Sequence, residues 1–377
     1  MLTVLFVNHV GRVSGAEKTL RDLIAYLPDD IRAAVACPGP AEDGLAGAVR
    51  RLGVEWYEIP PWRPHRRPLW RLAIDMVIGI KAMGQVADVV RHLRPDVLHA
   101  NSLPAVLLLM QMSDRPPMIW QARDLRMPER LAAAAIDTAD RVVAISRAVA
   151  EALTQADASA VRSKLSVIYN GIDLREIEGA ASADLRAELD LPHDVPLVGT
   201  AAQLVPWKRL ELFLEVASLV ASASDAHFVV AGADLFGEHG AYVRRLGRLQ
   251  EQLGLADRVH WLGYRRDVLS VLAGLDVYVH CADAEPLGRS ILEAMALGRP
   301  CVVPAAAGPA EIVGDSNAAM LYSPGDARSA AGTILRILQD KRLAATLGEA
   351  AARHVREHFD AARMAAEYAA VYRELAG

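Results

Sequence analysis

Residues 283–304 read Asp283-Ala-Glu285-Pro286-Leu287-Gly288-Arg289-Ser290-Ile-Leu-Glu293-Ala-Met-Ala-Leu-Gly298-Arg-Pro300-Cys301-Val-Val-Pro304. The pattern is loop, helix, strand. Pro286 suits a first helical turn, where its missing N–H costs nothing, so the helix is predicted to open near Glu285. Ile291, Leu292, Met295 and Ala296 give a core stripe, with Ser290, Glu293 and Leu297 on another face. Gly298 and Pro300 end the helix before a buried strand at 301–303.

Spacing limits what the two glutamates can do. If both are helical, eight residues at ~1.5 Å each put them roughly 12 Å apart, about twice the separation a retaining glycosidase needs. They are not a hydrolytic dyad. They suit the two ends of an elongated ligand whose anionic middle lies against the helix N-terminus around residues 288–290. A nucleoside diphosphate sugar has that shape; a surface helix with solvated glutamates is the alternative.

The chain of 377 residues is too long for one ordinary core, so two or three domains with a cleft between domains are expected. It is 53% hydrophobic and 23% charged, as folded enzymes are, and its net charge of −5 provides no basic field for nucleic acid. Any anionic ligand must be held locally. Residues 1–7 run straight into an apolar strand, without the basic region or cleavage site of a signal peptide, so a cytoplasmic location is expected. Cys37, Cys281 and Cys301 lack metal or redox spacing and are expected in cores. The apolar runs at 72–80 and 106–110 are too short to span a bilayer.

Outward from the opening stretch, strand-like and helix-like segments alternate. In the first half, strands are predicted at 2–7, 33–36, 54–59, 97–100, 118–121, 141–145 and 164–168, with amphipathic helices between them. The turn Tyr169-Asn-Gly-Ile-Asp173 and the polar stretch 175–194 mark a boundary, after which alternation restarts at 197–201 and runs to 320–322. Such alternation specifies parallel sheets with helices on both faces, and so an α/β chain of two doubly wound domains. Residues 60–71 interrupt it with four prolines, four arginines and two tryptophans. They read as a solvated surface connection or as a contact with an anionic membrane surface or a lipid-phosphate acceptor. The following helix, with Leu72, Met76, Ile80, Met83 and Val86 in register, is consistent with core packing or with a partly exposed apolar face, and the core is expected.

Six segments in order resemble the family 4 glycosyltransferases, the retaining enzymes with the GT-B fold: Ser14-Gly15-Ala-Glu17, Asn170-Gly-Ile-Asp173, Trp207-Lys208, Trp261-Leu-Gly263, Glu285 through Glu293, and Gly308-Pro-Ala-Glu-Ile-Val313. The two glutamates separated by seven residues are the most specific part. The resemblance covers nearly the whole chain. It implies two Rossmann-like domains: an acceptor-binding one at 1–173, a nucleotide-sugar-binding one at 174–355, and a helix at 356–377 packing back on the first.

It also implies roles. Glu285 would contact donor-sugar hydroxyls and Glu293 the ribose. Lys208 would neutralise the diphosphate, Gly15 would let the first loop approach it, and Pro286, Leu287, Gly288, Arg289 and Ser290 would line the donor at the helix start. Gly263 and Tyr264 would border the base. Two positions depart from the family pattern: Gln203 stands where an arginine is common, and Trp120-Gln-Ala-Arg-Asp124 where a histidine is common. Arg123 is the cation available there. His9 is placed either near the acceptor or as a packed or capping residue, and His99 has the same two readings.

The mechanism implied is transfer from a nucleoside diphosphate sugar to a sugar, glycolipid or polysaccharide acceptor, with the leaving phosphate taking the proton. No cofactor and no metal are expected, since neither an Asp-x-Asp triplet nor a His/Cys cluster occurs. An epimerase or hydrolase of the same shape, or an inactive nucleotide-sugar-binding protein, are the alternatives.

Overall fold

A computed structural model describes residues 1–39, 42–62, 69–156, 161 and 163–377, with the side chains of 69–74 and 156 excluded. Most of the basic aromatic stretch, including Arg63, Arg66 and Arg67, therefore lies outside the described residues. The chain divides into two compact units, Met1–Gly171 with Ala361–Gly377, and Ile172–Asp360. The boundaries expected at 173 and 355 thus fall at 171 and 360.

The first unit is built on seven parallel strands: β1 Leu2–Val7, β2 Ile31–Cys37, β3 Glu55–Glu58, β4 Val97–Ala100, β5 Met118–Ala122, β6 Arg141–Ala144 and β7 Leu165–Val167. Their order is β3-β2-β1-β4-β5-β6-β7. Val4, Leu5, Phe6 and Val7 are fully buried on successive positions, which requires cover on both faces and explains the unbroken apolar run. Strand β1 registers Val4 against Val97 and Val7 against Ala100, so β1 and β4 end level. The last helix, Ala361–Ala376, belongs to this unit. Its buried Ala361, Met364, Ala365, Tyr368, Ala369 and Tyr372 recur every three or four residues and pack with Val4, Phe6, Leu20 and Val97.

The second unit repeats the plan with β8 Leu197–Ala201, β9 His227–Ala231, β10 Val259–Gly263, β11 Val277–Val279, β12 Cys301–Pro304 and β13 Met320–Tyr322, in the order β10-β9-β8-β11-β12-β13. Every pairing in both sheets is parallel. In each unit the order reverses once, between β1 and β4 and between β8 and β11. There the flanking connections leave toward opposite sides, opening a crevice at the carboxyl ends of the strands.

Two expectations are corrected. The helix of the opening stretch runs Arg289–Ala296, so it begins four residues later than predicted, and Glu285 is not helical. Gly288, at φ 115°, turns the chain in a conformation that side chains other than glycine rarely adopt, and so holds residues 284–287 off the helix axis. The 12 Å separation, which assumed two helical residues, loses its basis. The helix Leu69–Leu93 also departs: Met76, Val77 and Ile80 are exposed, while Ala82 and Val86 face the core. All three cysteines are buried and free, as expected.

Candidate functional site

In the second unit Lys208 follows β8 and Glu285 follows β11, the two strands that flank the crevice. Strand β8 leads through Gln203, half-buried, into the short turn Pro206–Lys208. Arg209 then takes a left-handed conformation, φ 51°, which breaks the chain so that a new helix, Leu210–Ala221, can start. This kink directs Lys208 toward Glu285, and the two form a direct ion pair. The ammonium also stands 4.1 Å from the centroid of Trp207. Beside it, Arg209 is paired with Asp283.

Glu285 is held from several sides. Its main-chain oxygen accepts the Gly308 N–H at 3.1 Å. A Cβ on Gly308 would lie 2.3 Å from Leu287 Cα and 2.5 Å from Pro286 O, so only glycine permits this approach. Its carboxylate Oε2 is 3.3 Å from His280 Nε2. Burial by itself raises the carboxyl pKa, but the Lys208 ammonium and His280 outweigh it and bring it down to about 2. Glu285 is thus an anion at neutral pH. His280, by contrast, is kept neutral by burial.

Further contacts tie His280 to the helix. Tyr278 OH lies 3.2 Å from His280 Nδ1 and 2.8 Å from Ser290 Oγ in the first turn of Arg289–Ala296. Glu293, 5% exposed, accepts the Arg289 Nε–H at 2.8 Å one turn away. Gly263, at φ 65°, accepts the Gly232 N–H through its carbonyl at 2.8 Å, and Tyr264 is 56% exposed beside it.

In the first unit the equivalent crevice is spanned by hydrogen bonds. Asn101 Nδ2, just past β4, donates to Asn8 Oδ1, just past β1, at 2.8 Å, and Ser102 Oγ lies 2.9 Å from His9 Nδ1. His9 is therefore anchored at the strand ends. Gly15 is the first residue of helix Gly15–Ala25. Glu17 in that turn accepts the Ser14 N–H at 3.0 Å and Asn8 Nδ2 at 3.3 Å, which fixes the preceding loop. Arg123 follows β5 within electrostatic reach of Glu17 and Asp124, and its Nε and Nη2 are enclosed without a hydrogen-bond partner among the described residues. His99 takes the packed reading: fully buried, it meets Tyr372 OH at 2.7 Å and Gln121 Oε1 at 3.4 Å.

The sequence reading did not identify His280, Asn8 or Asn101. All three stand one residue beyond a strand that flanks a switch point, so the signal was topological rather than a motif. What the second unit assembles is a cation beside an enclosed carboxylate, next to the N-terminus of the helix Arg289–Ala296. It can hold an oxyanion and accept hydrogen bonds from hydroxyls.

Two doubly wound parallel-sheet units of this order define the GT-B fold. Residues 182–354 match the family Glycosyl transferases group 1, and residues 13–176 match Glycosyltransferase Family 4. The chain belongs to this glycosyltransferase family. Anabaena HepE, solved in complex with UDP-glucose, is 26% identical with a TM-score of 0.84, covering 99% of this chain and 100% of that one. The lipopolysaccharide core biosynthesis mannosyltransferase LpcC of Rhizobium leguminosarum is 29% identical over 99% of this chain and 97% of its own length. The lipopolysaccharide core biosynthesis glycosyltransferase LpsE of Rhizobium meliloti is 32% identical over 44% of this chain and 46% of its own. For LpsE and several other curated relatives, the match spans about half of their length.

Proposed function

We propose that the protein is a retaining glycosyltransferase that moves a sugar from a nucleoside diphosphate sugar to an acceptor hydroxyl in cell-surface polysaccharide or glycolipid assembly. One observation carries this reading: the Lys208 cation and the Glu285 carboxylate stand side by side at the switch point of the second unit. Lys208 and the N–H groups at the start of Arg289–Ala296 take the diphosphate, and Glu285 takes the sugar hydroxyls. Glu293 takes the ribose, while Gly263 and Tyr264 border the base. The complex of HepE with UDP-glucose supports a donor of this kind. The name of LpcC supports a place in lipopolysaccharide or related assembly.

In the reaction, the acceptor oxygen bonds to the anomeric carbon on the face from which the diphosphate departs. The carbon–oxygen bond to phosphate breaks, and the acceptor proton passes to the departing phosphate oxygen. The protein positions the partners and stabilises charge, and no side chain becomes covalently attached. Lys208 and the helix N–H groups supply the positive charge in this scheme, so no metal or other cofactor takes part. The first unit takes the acceptor, with His9 beside it and Arg123 as the cation where the family histidine is missing. Membrane contact is assigned to residues 60–71 together with the exposed Met76, Val77 and Ile80.

Glu285→Gln tests the proposal. It keeps the side-chain shape and removes the charge that meets the reacting sugar, so transfer should fall at least ~100-fold in protein whose circular dichroism matches wild type, while the melting temperature falls because the enclosed Lys208 loses its counter-ion. Near-wild-type transfer would reject the role of Glu285. Release of free sugar or of an epimer without acceptor would favour a hydrolase or epimerase, and tight donor binding without turnover an inactive binding protein.

A further inference from the structure

Lys208 and Glu285 neutralise each other, and their side chains are largely enclosed, 13% and 10% exposed. The proposed reaction, on which this inference rests, gives them to different halves of the donor: the ammonium to the diphosphate, the carboxylate to the sugar. A diphosphate that draws Lys208 to itself takes away the main counter-ion of Glu285. What replaces it depends on whether a sugar arrives as well.

With a sugar present, hydroxyl donors meet the carboxylate. With a bare nucleoside diphosphate, the partner that Glu285 keeps among the described residues is His280, whose Nε2 is 3.3 Å away. The neighbouring cation, Arg209, is already engaged by Asp283, and the other side of His280 faces the hydroxyl of Tyr278. Leaving an enclosed charge without its partner is costly. We infer that the Lys208–Glu285 pair makes the site discriminate against the spent nucleotide, holding a sugar-bearing donor while favouring release of the bare diphosphate. Trp207, which flanks the ammonium at 4.1 Å, keeps Lys208 within reach of both partners.

Calorimetric titration of the full chain with UDP, GDP and ADP tests this. Glu285→Gln should tighten the nucleoside diphosphate that binds the wild type at least about tenfold, or ~1.4 kcal/mol, because the phosphate becomes the only counter-ion of Lys208. The matching nucleoside diphosphate sugar should not tighten. In a Lys208→Met background the gain should vanish, a coupling that a merely structural role for Glu285 does not produce. Melting curves establish that each variant is folded.

Unchanged or weaker diphosphate binding by Glu285→Gln would overturn the inference alone. Failure of the wild type to bind any of the three nucleotides would overturn the donor reading, and the discrimination with it.

Discussion

Glu285 and Glu293 stand eight positions apart in one motif, yet their surroundings share little. Glu293 sits in a regular helix and meets Arg289 on its own face, an arrangement that i,i+4 spacing alone predicts. Glu285 precedes the helix in a loop, and its partners Lys208 and His280 come from elsewhere in the unit. Local periodicity could not identify them. The histidines make the same point. His9 and His99 both lie at strand ends and were equivalent in sequence, but only His99 turns into the layer filled by Tyr368 and Tyr372. Burial drives its pKa down to about 3. That is below the unfolded value of ~6.5, so between these two values the unfolded chain binds the extra proton. The stabilisation is complete above pH ~6.5 and is lost as pH falls through the folded value. His99→Gln should therefore flatten the decline of urea-unfolding stability between pH 6.5 and 4, at a cost of about 1–2 kcal/mol at pH 7.5 from lost packing and hydrogen bonding. An unchanged slope would assign the acid sensitivity to other groups.

At the scale of the element, a pattern names a helix more securely than it names the face that is buried. In Leu69–Leu93 the residues Met76, Ile80, Met83 and Val86 read as a single apolar stripe, and periodicity does not say how much of it is covered. The fold buries Ala82 and Val86 and leaves Met76, Val77 and Ile80 63%, 66% and 59% exposed. Adjacent exposed apolar side chains are costly in water unless something covers them. No acidic residue lies between Glu58 and Asp75, while Arg63, Arg66, Arg67 and Arg71 do, and that charge suits an anionic bilayer. Replacing Val77 and Ile80 by Glu should reduce sedimentation with phosphatidylglycerol vesicles at least about fivefold, since both apolar insertion and charge attraction are lost. The melting temperature should hardly move, because neither side chain is in the core. Equal sedimentation would return this face to ordinary surface. In the helix Arg289–Ala296 the misplaced start has a specific cause: Pro286 suits a first helical turn, but Gly288 and the close approach of Gly308 impose a different backbone.

At the scale of the whole molecule, the closing helix Ala361–Ala376 completes the first unit after the chain has passed through the second. It covers Phe6, Leu20 and Val97, and Tyr372 meets His99. A chain ending at residue 360 should therefore lose the first unit. Limited proteolysis should cut within 1–171 at least about tenfold faster while 172–360 stays protected, because only the first unit loses core area. Protection as in the full chain would show that this unit holds without its last helix.

The alternation of apolar strands and amphipathic helices, with one polar boundary, was enough to specify two doubly wound parallel sheets. Strand type is written in short-range periodicity, and parallel pairing leaves few ways to connect such units. The motif of two glutamates and the pair Trp207-Lys208 likewise marked which residues of the second unit to watch. Tertiary structure decided the rest. It brought Lys208, His280 and Glu285 together at one switch point, turned His99 into the core, and set how much of the apolar stripe of Leu69–Leu93 is covered. Each of these depends on contacts between residues far apart in the chain, and the energy of such contacts has no counterpart in local sequence pattern.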